Sequence, residues 1–119
     1  MKGSDNKMQG SNSTLVGDNN NVKGTNHVLS GSINTVSGDN TALIGSLNQV
    51  VGSSNAVIGN SNTLTGKQNV AEGDGNTVTG DVNNVKGSTN SIEGKSNVVI
   101  GNNNVVKQQV SFEKLKILQ

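Results

Sequence analysis

The sequence predicts an all-β fold: a single β-solenoid, flattened into a two-sided roll of about seven 14-residue coils. Three observations predict it. Glycine recurs every seven residues from Gly3 to Gly101, fifteen times without a slip. With that glycine as position one, position six is apolar in all fifteen repeats, from Met8 to Val106. Position four is Asn in twelve of the fifteen, with Asn48, Asn62 and Asn76 in succession on one side.

The repeat Gly-x-x-Asn-x-Val-x favours strands over helices. A coiled coil needs two apolar positions per heptad, and here there is one. Glycine at this density would cost a helix roughly 1 kcal/mol per copy. Val, Ile and Thr dominate positions five to seven, which suits strands. Within Asn-x-Val-x the side chains alternate, so Asn and Val point inward while positions five and seven meet solvent. Glycine and the two residues after it, expected to be polar, make the bend, because glycine tolerates positive φ and close backbone approach. One repeat therefore gives one strand and one corner, and two repeats close a coil. Seven coils at ~4.8 Å each make a rod roughly 35 Å long.

The inward Asn carries two donors and an acceptor. Each copy can satisfy corner backbone groups and bond its counterpart one coil away, giving one Asn column per corner. The exceptions, Ser13, His27 and Thr41, fall in three successive even-numbered repeats. Asn12, Asn26 and Asn40 precede them, and Leu15, Leu29 and Leu43 follow two residues later. This spacing predicts a shifted Asn column at that corner, with the larger Leu filling the space left over. The roll spans residues 1–107. Residues 108–119, QQVSFEKLKILQ, break the pattern and read as a capping segment.

Composition narrows the function classes. Net charge is +1, so no basic field draws nucleic acid or a membrane surface. No apolar run approaches the ~18 residues of a membrane span. No charged start leads into an apolar segment, so no signal peptide is expected in this chain. Cysteine is absent. The few carboxylates are scattered over corners, and His27 is the only histidine. It sits in a repeat slot, where a corner role outweighs catalysis. Neither an enzyme, a metal site nor a cofactor is expected.

Function therefore has to lie on the outward faces. The face of the odd-numbered repeats presents Thr35, Ser37, Gln49, Val51, Thr63, Thr65, Thr77, Thr79 and Ser91, uncharged from Thr35 to Thr79. The face of the even-numbered repeats presents Thr14, Val16, Val28, Ser30, Ala42, Ile44, Ala56 and Ile58, and is largely aliphatic. Wide uncharged stretches of this kind read as interaction surfaces; the alternative is that Thr and Val stand there simply as good strand formers.

The repeats SGSINTVSG, GNSNTLTG and GDGNTVTG closely resemble the ice recrystallisation inhibition proteins of cold-tolerant grasses. The resemblance covers residues 3 to 107. It implies a left-handed β-roll with inward Val and Asn, an ice surface as partner, and secretion. It also implies an ice-binding face built from residues flanking the inward Val or Leu, such as Thr63 and Thr65, or Thr77 and Thr79. Binding would pin the ice front and involve no catalysis. The odd face is favoured because it alone pairs hydroxyl and methyl groups on adjacent coils. A structural or adhesive solenoid is the alternative. ALIG, AVIG and VVIG resemble the head repeats of trimeric autotransporter adhesins, although neither a coiled-coil stalk nor a membrane anchor is expected from this sequence. On that reading the even face is an interface. The expected state is a monomer, with weak self-association through the even face.

Overall fold

The computed structural model describes residues 2–107. Within them fifteen short strands form two parallel sheets. The odd-numbered repeats supply β1 (Lys7–Gln9), β3 (Asn21–Thr25), β5 (Thr35–Asp39), β7 (Gln49–Ser53), β9 (Thr63–Lys67), β11 (Thr77–Asp81), β13 (Ser91–Lys95) and β15 (Val105–Lys107). The even-numbered repeats supply β2 (Thr14–Val16), β4 (Val28–Ser30), β6 (Ala42–Ile44), β8 (Ala56–Ile58), β10 (Val70–Glu72), β12 (Asn84–Lys86) and β14 (Val98–Ile100). Each set stacks in order, every strand pairing with the one fourteen residues away. The fold is the predicted β-solenoid of about seven coils. The proposed cap at 108–119 lies outside the described residues.

Two back-to-back sheets leave room for one interior side-chain layer. Position six fills it: Leu15, Val22, Leu29, Val36, Leu43 and their successors to Ile92 are buried, and Met8 and Val106 pack against the ends. The corners pair from coil to coil as the strands do, with Gly45 N–H donating to Ser30 O at 2.9 Å and Leu47 N–H to Ser32 O at 3.0 Å. Backbone polar groups in the bends are thus satisfied by the neighbouring coil rather than by water.

The inward Asn columns are present. On the odd side Asn62 shows the unit. Its N–H and Nδ2 both donate to Asn48 Oδ1, at 2.9 and 3.1 Å, and Nδ2 also donates to Gly73 O at 2.8 Å. Its own Oδ1 accepts the same pair of bonds from Asn76. On the even side the column runs from Asn55 through Asn69 and Asn83 to Asn97.

Two expectations about the corners need correction. The Asn column is not shifted in the first even coils. Asn12, Asn26 and Asn40 are exposed, with φ of 55°, 60° and 58°, and it is His27 and Thr41 that stay buried in the slot. His27 Nδ1 accepts the Thr41 N–H at 3.3 Å, and its Nε2 lies 3.1 Å from Lys23 O. That pattern assigns the Nε2–H tautomer, a neutral ring standing in for Asn. Nor is the bend uniformly polar. Position three is left-handed in every repeat, including the exposed Ile33, Leu47 and Val82, with φ of 60°, 62° and 58°.

Glycine at position one is required by contact as well as conformation. At Gly52, φ is +129° and an added Cβ would lie 1.8 Å from Gly66 O. No side chain fits between coils there. Gly75, the one glycine off the seven-residue lattice, occupies position three with φ +66° and needs its freedom for the left-handed bend alone.

Candidate functional site

The eight-stranded sheet carries the odd face. Its outward residues form two columns in direct register. One runs Thr35, Gln49, Thr63, Thr77, Ser91; the other runs Ser37, Val51, Thr65, Thr79, Glu93. Thr63 pairs with Thr77 and Thr65 with Thr79, so four threonines occupy the corners of one cell. Its edges are ~4.8 Å across strands and ~6.7 Å along them. Thr65, Thr77 and Thr79 are exposed and Thr63 half-exposed. Among the described residues none of these four hydroxyls bonds to another protein group, which leaves them to water. Ser37 is half-exposed, and Thr35, Gln49, Val51 and Ser91 are exposed. Lys23 lies beyond the uncharged stretch at one end and Glu93 at the other.

The seven-stranded sheet carries the other face. Thr14, Val28, Ala42, Ala56 and Val70 form one column; Val16, Ser30, Ile44, Ile58 and Glu72 form the other. Ile44 and Ile58 are 58% and 50% exposed, high values for large aliphatic side chains. Charge enters on the fifth and sixth rungs, where Lys86 Nζ lies 3.8 Å from Glu72 Oε2, and the exposed Val98 and Ile100 form the rung beyond.

The corners between faces carry polar side chains that hold successive coils together. Asp18 Oδ1 accepts the Ser4 N–H, Asn60 Oδ1 the Ser46 N–H, and Asp74 Oδ1 the Asn60 N–H. At the opposite corner Asp39 Oδ1 accepts both the Oγ1–H and the N–H of Thr25, at 2.9 and 3.0 Å. These two bonds hold the Asp39 carboxyl below its ordinary range, the hydroxyl bond contributing most. Corner carboxylates therefore have a structural use. No group of three metal-ligating side chains occurs among the described residues.

The first five coils match a family model described as grass antifreeze beta roll, over residues 1–73. The chain belongs to that family. The structure carries the same coil beyond the matched segment, from Asn76 to Val106, without a change of register. A search of curated protein sequences finds no match to the chain. The antifreeze β-roll family and its solenoid fold are of a non-enzymatic kind, and the family points to ice as the target.

The structure places all the sequence-predicted face residues of this antifreeze β-roll on the outside of the two sheets, sorted as expected. Sequence reasoning missed the apolar corner residues Ile33 and Leu47. Asp5, Asn12, Asn19, Asn26, Asn40 and Gly75, residue types tolerant of left-handed backbone, share their repeat position and mark the special bend.

Proposed function

We propose that this protein binds ice through the eight-stranded face and so slows ice growth and recrystallisation. The observation that carries the reading is the threonine cell of Thr63, Thr65, Thr77 and Thr79, set in register on adjacent strands. Each threonine offers a methyl group, around which water orders, and a hydroxyl, which can donate and accept hydrogen bonds within that ordered layer. A rigid parallel ladder fixes the spacing, so little ordering entropy is lost on adsorption. Ser37, Val51 and Gln49 extend the surface on one side and Ser91 on the other. The even face offers Ala42, Ile44, Ala56 and Ile58, almost without hydroxyls, and suits water-ordering alone.

A matched pair of substitutions tests the choice of face. Thr65→Tyr and Ile58→Tyr each add a bulky ring to an outward position and leave the interior layer untouched. Both should melt within a few degrees of the parent, as surface changes of roughly ±0.5 kcal/mol do. Grain growth in a frozen sucrose film should escape inhibition only with Thr65→Tyr. If Ile58→Tyr is the variant that loses inhibition, the ice-binding face is the seven-stranded one.

A further inference from the structure

The seven-stranded face has a size pattern that the eight-stranded face lacks. On three successive rungs it pairs a large side chain with a small one: Val28 with Ser30, Ala42 with Ile44, Ala56 with Ile58. The order is also reversed between the first of these rungs and the next two. The columns therefore form a ridge beside a trough, and the ridge changes sides. On the odd face the central rungs are Thr63 with Thr65 and Thr77 with Thr79, equal in size.

A two-fold axis parallel to the roll and lying on this face exchanges the two columns and keeps the rungs in step. It sets Ile44 of one copy over Ala42 of the other, Ile58 over Ala56, and Val28 over Ser30. Each contact occurs twice, as an isologous interface requires. The same operation sets Glu72 against Val70, not against another Glu72. It leaves the Glu72–Lys86 ion pair of each copy to neutralise itself. We propose that the seven-stranded face is a self-complementary interface through which two copies pair back to back, leaving both threonine faces outward.

Area limits the strength of this pairing. Seven rungs at ~4.8 Å by a three-residue strand of ~10 Å give roughly 340 Å² per copy. The same axis carries the exposed corner residues Ile33 and Leu47 of one copy towards the polar corners of Asn26 and Asn40 in the other, so the corners add little apolar area. The sum stays below the ~800 Å² per partner of a stable complex. The dimer is therefore weak, and the chain is monomeric when dilute.

Sedimentation equilibrium of the full chain in unfrozen buffer tests the pairing independently of ice binding. The parent should shift from monomer to dimer as concentration rises. Ala42→Glu and Ile44→Lys should each lower the association constant roughly tenfold or more, because a charge then faces an apolar partner. Mixing the two variants sets the carboxylate introduced in one chain over the ammonium introduced in the other, and should restore association. Thr65→Tyr should leave it unchanged. A parent that stays monomeric at every concentration overturns the proposal. So does a mixture no better than the separate variants, which rejects the column-exchanging axis. Ile44→Lys losing ice inhibition in a protein that never dimerises would show that this face meets ice instead.

Discussion

At the scale of the residue, the interior Asn takes the part that a wider apolar core plays elsewhere. Asn62 joins three coils through five bonds, and truncation would leave the Asn76 N–H and the Gly73 carbonyl short of a partner. Asn62→Ala should destabilise by about 1–3 kcal/mol, measured by thermal or denaturant unfolding. Ser61→Ala, one residue away and exposed, should change stability little, and equal effects would refute the inward assignment. The even column has one weak step. Thr41 Oγ1 is a buried polar atom with no partner among the described residues. Asn55 above it donates its Nδ2 only to Gly66 O. Thr41→Asn would supply the acceptor that Asn48 gives Asn62 on the other side, and should raise stability by about 1 kcal/mol. Asp39 makes one corner sensitive to acid. Its carboxyl is held below the ordinary range by the Thr25 bonds, so this contribution is complete above the unfolded-state value. It is lost as pH falls through the lower folded-state value. Asn60 makes the equivalent bond at the opposite corner without charge. Asp39→Asn should therefore keep the corner bond and flatten the fall of melting temperature in acid.

At the scale of the element, each repeat is a strand and a bend, and the two were unequally legible. The strand was plain because its inward positions admit few residues: apolar at six, Asn at four. The bend was read only in part. Asn12, Asn26 and Asn40 looked like displaced members of the inward column, since Asn is the residue of that column. They are instead at position three, where Asn is favoured because it tolerates left-handed backbone. Two physical reasons for one residue type cannot be separated by spacing. Ile33, Leu47 and Val82 hid the rule further by occupying a left-handed position that branched side chains disfavour. Leu47→Asn should consequently stabilise the roll by roughly 0.5–1 kcal/mol, although it removes a half-exposed aliphatic group. Unfolding midpoints of Leu47→Asn and the parent check this directly. A drop in midpoint would mean that Leu47 gains more from contacts at the corner than it loses to backbone strain.

At the scale of the whole molecule, a rigid two-sided ladder presents two columns of outward side chains on each face. Folding constrains those columns weakly, because any strand-compatible residue satisfies positions five and seven. That freedom is why the sequence laid out both faces and their membership yet left the choice between them to chemistry. The threonine cell and the ridge-and-trough surface lie on opposite sheets, so adsorption to ice and self-pairing do not compete for the same atoms. Their separation makes the central claim, that the eight-stranded face meets ice, open to one direct measurement. Ice grown slowly from a dilute solution excludes solutes that do not adsorb to its advancing surface. The parent protein should be taken up into the ice fraction, as should Ile58→Tyr. Thr65→Tyr should remain in the liquid. Uptake of Thr65→Tyr at the parent's level, or exclusion of the parent itself, would contradict the account.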